Sequence, residues 1–468
     1  MSALDKTTEN KKPFHKKAGE GIEDAFLQTA LDKIRTGFVN SRKNTIADME
    51  DFPALRSQST EIKKRALGAL YENIIRFEKE LIARGGKLHF AKTAEDMRKK
   101  VVEICKQEKV KTISKGKSII GEEVGLNEAL ESAGITPYET DLGEYILQLA
   151  KENPSHIVVP AMHKTRQEVI NLFEKQHKKG KRKLKTVESI VEEVRDIIRE
   201  RFLQADAGIT GANFLIADTA SAVLVTNEGN ADLSVCLPKT YIITASIEKI
   251  IGSWQEASAL LRVLGRSATG QAMTAYSSFY TPEKGQSFHV ILLDNGRTQI
   301  LDSKYRDMLK CIRCGACLNH CPVYQTIGGH AYQSIYAGPM GAVLTPLLRG
   351  EKEDYALPNA SSFCGRCEEV CPVSIPLPEL MRQLRNDEGR RQQWRPSRWL
   401  VKGFMYLARV PFLYRNLTHF IIWLATKLLA RKDGTLRGVF FIHGWTKYRD
   451  LTNPEGGSFQ KQWRKRKG

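Results

Sequence analysis

Apolar positions fall into three patterns along the chain. From residue 61 to about 111 they recur at spacings of three and four, as in Leu67, Leu70, Ile74, Ile75 and Phe77, the period of a helix that buries one face. From there to about residue 300, short continuous apolar runs alternate with helical or glycine-bearing stretches. Residues 155–160 (SHIVVP), 214–216, 222–225 and 241–245 (YIITA) read as buried strands, and 188–201 reads as an amphipathic helix among them. Doubly buried strands separated by helices predict an α/β domain on a largely parallel sheet. Beyond Leu301 the strand pattern ends, and helix formers and loops take over. Residues 1–60 are polar and charged, a tail followed by a helix around 24–38. Four segments follow: 1–60, 61–300, 301–389 and 390–468.

Composition narrows the class. At ~100–200 residues per domain, 468 residues make two or three domains, and 41% hydrophobic with 27% charged residues describes a globular chain. Lysine and arginine outnumber acids 72 to 53, a formal charge of +19 that calls for a negative partner: nucleic acid, an anionic membrane face or acidic subunits. Nucleic acid is disfavoured, because the basic run 175–185 (KQHKKGKRKLK) has no interleaved aromatics and no recognised binding module. That run reads as a solvated helix end or loop. The N-terminus lacks the apolar core of a secretory signal, and no cysteine framework reads as disulfides, so a reducing cytoplasm is expected.

The last segment differs again. From residue 390 onward there are 18 Lys/Arg against 3 Asp/Glu, and five of the six tryptophans (Trp394, Trp399, Trp423, Trp445, Trp463). The apolar run 419–429 (HFIIWLATKLL) is broken by Lys427 and is well short of the ~20 residues that span a bilayer. A basic, Trp-bearing amphipathic segment suits peripheral contact with the inner face of a membrane, docking on acidic subunits, or wrapping of its own protein.

The chemistry is concentrated in seven of nine cysteines. Cys311, Cys314, Cys317 and Cys321, followed by Pro322, form C-x2-C-x2-C-x3-C-P. In this spacing three thiolates of one tight loop reach one iron–sulfur cubane, and the fourth ligates the other. Cys364, Cys367 and Cys371, followed by Pro372, repeat the last three positions, with Ser361 where a first cysteine would stand. The crossed pattern assigns Cys311, Cys314, Cys317 and Cys371 to one [4Fe–4S] cluster, and Cys321, Cys364 and Cys367 to a second. The second then needs a fourth ligand from Ser361, His320, His330, Cys105, Cys236 or water, or is a [3Fe–4S] core. Zinc fits poorly, since it takes four tetrahedral ligands, usually as two C-x2-C pairs. Arg313 and Arg366 stand one residue from ligands, where positive charge raises a reduction potential. No GxGxxG follows a strand, so flavin or nicotinamide chemistry is expected of partner subunits. Read from residues alone, 208–213 (GITGAN) is a turn whose amides suit a carboxylate or phosphate, and Asp218-Thr219 marks a strand end.

The cysteine segment CIRCGACLNHCPVYQTIGGHAYQSIYAGPMGAVLTPLL, with SSFCGRCEEVCPVSIPL, resembles the lactate utilization protein B family. So do 115–127 (KGKSIIGEEVGLN), 139–145 (ETDLGEY), 154–164 (PSHIVVPAMHK) and 208–238, and the likeness spans roughly residues 60 to 385. It implies an iron–sulfur electron-transfer subunit of a bacterial three-component system oxidising L-lactate to pyruvate, with two [4Fe–4S] clusters and partner subunits. It also implies an α/β domain like the sugar-phosphate isomerases and CoA transferases, followed by a mainly helical ferredoxin-like dicluster domain. A pocket at the strand ends would then include Lys115, Glu122, Asp141, His163, Lys164, Asn213, Asp218, Thr219, Asn227 and Glu228, with Lys115 or Lys164 pairing with a lactate carboxylate. Two alternatives remain open: the same electron wire serving another 2-hydroxy acid such as glycolate, and a redox-regulated binding module whose clusters are structural.

Overall fold

The computed structural model describes residues 13–177, 184–350, 354–391, 396–430, 434–436, 451–454 and 458–467. Most of the basic run 175–185, Trp394, Trp445 and the first twelve residues lie outside these. The chain divides into two units, Met1–Asn386 and Asp387–Gly468.

The first unit is built on a six-stranded sheet of β1 (Lys87–Ala91), β2 (Thr112–Lys115), β3 (Thr136–Glu139), β4 (Ala207–Gly211), β7 (Thr240–Ser246) and β10 (Ser287–Leu293). Its order is β1-β10-β7-β4-β2-β3, and every pairing is parallel. All seven residues of β7 are buried, which is why its apolar run is continuous rather than alternating. A smaller mixed sheet, β8-β5-β6-β9, joins β5 (Phe214–Ile216), β6 (Ser221–Thr226), β8 (Ile250–Ile251) and β9 (Tyr276–Tyr280).

Three readings from the pattern need correction. The stretch from 61 to 111 is not helical throughout: Gly85 and Gly86 end the helix Leu70–Ala83, and β1 precedes the helix Ala94–Gln107. Five strand residues are too few to stand out against two flanking helical periods. Residues 155–160 form no strand; the segment curls so that the Ser155 amide and hydroxyl both donate to the Pro160 carbonyl at 3.0 and 3.1 Å. Apolar character recorded its burial, not its pairing.

Residues 208–211 form strand β4 rather than an anion-binding turn. Gly208 is there because the Ser234 carbonyl of the helix Asn230–Cys236 passes 1.7 Å from where a Cβ would stand. Gly208→Ala is therefore expected to cost about 3 kcal/mol or more, read as a lowered urea midpoint.

Ahead of the helix Leu70–Ala83, the described residues form α1 (Phe14–Glu23), α2 (Ala25–Thr36), α3 (Phe38–Ala47) and α4 (Phe52–Gly68). Asp24 caps α2 by accepting from the Phe26 and Leu27 amides. Leu31, Ile34, Phe52, Leu55 and Ile62 share one buried core with the cysteine loops. Arginines from these helices tie down the second loop: Arg42 donates to the Val370 carbonyl at 2.9 Å, and Arg56 to those of Cys371 and Glu368 at 2.8 and 3.0 Å.

The second unit contains the helices Pro396–Ala408, Pro411–Leu429 and Phe459–Lys467. Trp399, Phe404, Phe412, Phe420, Ile421 and Trp423 are exposed on the first two. Among the described residues no helix is long and apolar enough to cross a membrane.

Candidate metal centre and adjoining cavity

The two cysteine loops repeat one backbone. Gly315 (φ +77°) starts the short helix Ala316–Asn319, and Gly365 (φ +81°) starts Arg366–Glu369. Two residues earlier, Arg313 (φ +61°) and Phe363 (φ +54°) share the left-handed conformation. At the two glycines a side chain would be strained in this conformation. At Gly315 a Cβ would also stand 3.3 Å from Val158 Cγ2, so the curled 155–160 segment covers the first loop.

Cys311, Cys314, Cys317 and Cys371 line one cavity together with Ile157, Val373 and Ile375. Cys321, Cys364 and Cys367 line a second, which Ser361 also lines. The donors are thiols alone, four at the first cavity and three at the second. Their chemistry and grouping fit iron–sulfur cores better than a mononuclear ion. Cys371 Sγ accepts from the Ile375 amide at 3.4 Å. Burial pushes the Cys314 and Cys367 thiols up to about 12 and raises Cys317, Cys321 and Cys371. Binding them as thiolates therefore releases protons.

Of the residues considered for a further ligand, Ser361 alone lines the second cavity. Cys105 is buried in the sheet domain's core, and Cys236 is exposed at the end of Asn230–Cys236. His320 Nδ1 bonds the Ala316 carbonyl, and His330 Nε2 the Asn153 carbonyl.

A buried ionic network lies beside the first ring. Arg297 holds Glu123 with both terminal guanidinium nitrogens, at 2.9 and 2.7 Å, and ion-pairs with Glu248 through Nε at 3.0 Å. Arg313 reaches Glu248 at 3.3 Å and stacks 4.7 Å over Tyr336. Burial alone would raise the Glu248 carboxyl, but Arg297, Arg313 and Lys249 hold it at about 2. Arg366, by contrast, is half-exposed and pairs with Glu369.

Where the carboxyl ends of the strands face the first cysteine loop there is a cavity of about 240 Å³. Asp141, Asn213, Asn227 and Glu228, all implied by the family resemblance, line it. Lys115, Glu122, His163, Lys164, Asp218 and Thr219 do not. Lys115 is fully buried between Glu139 (2.6 Å) and Glu122 (2.9 Å), and Lys164 and His163 both engage Glu152. The expected carboxylate partners are thus already paired. Sequence reasoning missed Lys249 and gave Arg313 a different role, although both line the cavity; only the folded chain brings residues 64 apart to one surface.

His156 joins the 155–160 segment to the first loop. Its Nδ1 accepts from the Val158 and Val159 amides at 3.0 and 3.1 Å, so its Nε2–H donates to Asn319 Oδ1 at 2.9 Å. Burial pushes this histidine down to about 4. The unfolded chain, at ~6.5, binds the proton first, so this contribution is complete above pH 6.5 and is lost as pH falls toward 4. Between pH 7 and 5 the stability gap between the native chain and His156→Gln should shrink by about 2 kcal/mol, measured by urea unfolding at each pH.

Known proteins bear on these features. A LUD domain model matches residues 74–295 and a 4Fe-4S dicluster domain model residues 307–375. "Lactate utilization protein B 1" of Bacillus mycoides is 40% identical over 460 residues, covering 97% of this chain and 96% of that one. "Lactate utilization protein B" of Oceanobacillus iheyensis is 37% identical over 462 residues (97% and 96%), and that of Exiguobacterium sp. 38% over 464 (97% and 97%). The crystal structure of a DUF162 family protein from Deinococcus radiodurans covers 48% of this chain and 98% of its own at 13% identity, with a TM-score of 0.25, too low to bear on the fold. Fold and cysteine loops define an iron–sulfur protein that joins a parallel-sheet LUD domain to a 4Fe-4S dicluster domain. Within that class, the chain belongs to the lactate utilization protein B family.

Proposed function

We propose that this chain is the iron–sulfur electron-transfer subunit of a complex that oxidises L-lactate to pyruvate. The supporting observation is the division of seven cysteines from two loops between two neighbouring rings. When bound, such clusters accept and release single electrons. Cys311, Cys314, Cys317 and Cys371 hold one [4Fe–4S] cluster. Cys321, Cys364 and Cys367 hold the second, with Ser361 as the non-cysteine ligand. Ile157, Val373 and Ile375 exclude water from the first, and Arg313 sets positive charge beside it. Other subunits of the system are its partners, and the protein is cytoplasmic. Its C-terminal unit supports peripheral contact with the inner membrane face, because exposed Trp399, Phe412 and Trp423 stand among Lys402, Arg415 and Lys427.

The test is anaerobic. With its partner proteins present, L-lactate should bleach the visible cluster absorbance and produce reduced-cluster EPR signals; the chain alone should show neither. Clusters that stay oxidised while the assembled system turns over lactate would remove the electron-transfer role. At the second ring, Ser361→Cys supplies a fourth thiolate and should lower the three-iron EPR signal after brief exposure to air. An unchanged signal would take Ser361 out of the ligand set.

A further inference from the structure

The cavity between the strand ends and the first cysteine loop contains polar groups that the protein itself leaves unanswered. Lys249, in the turn after β7, is 6% exposed and lines it; its ammonium makes no hydrogen bond or ion pair among the described residues. Arg313 lines it from the cysteine loop. Its Nη2 reaches Glu248, whereas its Nη1 is buried with no partner. Two further lining groups are buried and unpartnered: the Thr226 hydroxyl at the end of β6, and Asn230 Oδ1.

Leaving one such group buried and unpaired costs about 1–3 kcal/mol, and more when it is charged. Three on one cavity wall, with the Lys249 ammonium beside them, describe a site completed by a ligand. Glu248 answers Arg313 on one side only, and Lys249 sets a second basic nitrogen beside it, which favours an anion. An amide oxygen only accepts, so the ligand must also carry a donor, and a hydroxyl also suits Thr226. The acids on the wall do not neutralise the cations from within: Asp141 is engaged by the Gly143 and Glu144 amides, and Glu228 is exposed. At about 240 Å³ the cavity is smaller than the ~300–1,000 Å³ usual for drug-sized ligands, which fits a small metabolite.

We propose that this cavity binds a small 2-hydroxy carboxylate, with Lys249 and Arg313 taking the carboxylate and Asn230 and Thr226 the hydroxyl. The proposal rests on the lactate-oxidising role for its choice of acid, and it puts the acid in this subunit, against Cys314 of the first ring.

The experiment is calorimetric titration of the anaerobically prepared full chain with L-lactate, propionate and inorganic phosphate. Cluster iron and dithionite reduction are measured on the same sample. L-lactate should saturate one site per chain. Propionate, which keeps the carboxylate and lacks the hydroxyl, should bind about tenfold more weakly, as one lost hydrogen bond implies. Lys249→Met should weaken lactate binding by roughly 10- to 100-fold, as loss of a charged hydrogen bond implies, and Thr226→Val should weaken it without touching a charge. The proposal is overturned if lactate shows no saturation, if phosphate binds better than lactate, or if both variants bind lactate as the native chain does. Propionate binding equal to lactate overturns the hydroxyl assignment. Reducible clusters in a chain that binds no lactate would sink this site and leave the electron-transfer role standing. A chain without clusters would sink that role whatever it binds.

Discussion

Cys371→Ala is expected to remove the same cluster as Cys317→Ala, although Cys371 is 54 residues further along the chain. Cys371 lines one cavity with Cys311, Cys314 and Cys317, whereas Cys364 and Cys367, its neighbours in sequence, line the other with Cys321. Each of these substitutions should lower bound iron by about half, because one of two cores loses a thiolate. The EPR spectra of the reduced proteins sort them: Cys317→Ala and Cys371→Ala should retain one common signal, and Cys321→Ala and Cys367→Ala the other. Lactate-dependent reduction in the assembled system should be lost in all four, since a wire broken at either core carries no current. If Cys371→Ala instead matched Cys367→Ala, the loops would not cross, and each would hold its own core.

Arg297→Met should be the most destabilising single change away from the cysteines. Arg297 is fully buried and is the only described cation that ion-pairs with Glu123, while sharing Glu248 with Arg313. Tyr336 and Asn295 also donate to Glu123, but neither carries charge. Removing one partner of a buried pair leaves the other charge without compensation, at a cost of about 3–5 kcal/mol. Against a total stability of ~5–15 kcal/mol this is a large share. The sign of the pH response is diagnostic. In the native chain Glu123 and Glu248 lie below the usual carboxylate range, so their contribution is present above ~4.3 and is lost as pH falls through their folded values. Without Arg297, only the neutral donors Tyr336 and Asn295 oppose the effect of burial on Glu123, which rises, so the variant should recover relative to the native chain as pH drops from 7 to 5. Adding Glu123→Gln should restore part of the loss at pH 7. A variant within about 1 kcal/mol of the native chain at pH 7, by urea unfolding, would mean the pair contributes nothing measurable.

What was legible in the sequence had a short-range cause. The β7 run YIITA is continuous because a central parallel strand is buried on both faces, and 188–201 shows its period because one face of that helix packs. The cysteine spacings were legible because three thiolates of one tight loop suit one inorganic core and the fourth suits its neighbour. Where the cause was distant, the reading went astray. Residues 155–160 carry the same apolar signal as a strand, yet cover a loop that begins more than 150 residues later. The glycines of 208–211 suggested a turn, but the close contact at Gly208 comes from Ser234 on a neighbouring helix. Residues up to 60 looked polar because the helices among them bury one side only, and what they bury it against are the cysteine loops some 300 residues away.

The amino-acid order by itself thus determined the class of fold, the kind of cofactor and the family, since each is written in residue types at fixed local spacing. Charge pairing was decided only in three dimensions. Lys115 is neutralised by Glu139 and Glu122, whereas Arg313, no more conspicuous in the chain, reaches the cavity wall with Nη1 unpaired, and Lys249 lines the same wall. A Coulomb interaction depends on separation and on the water excluded around it, and both exist only once the strand ends and the cysteine loop have come together.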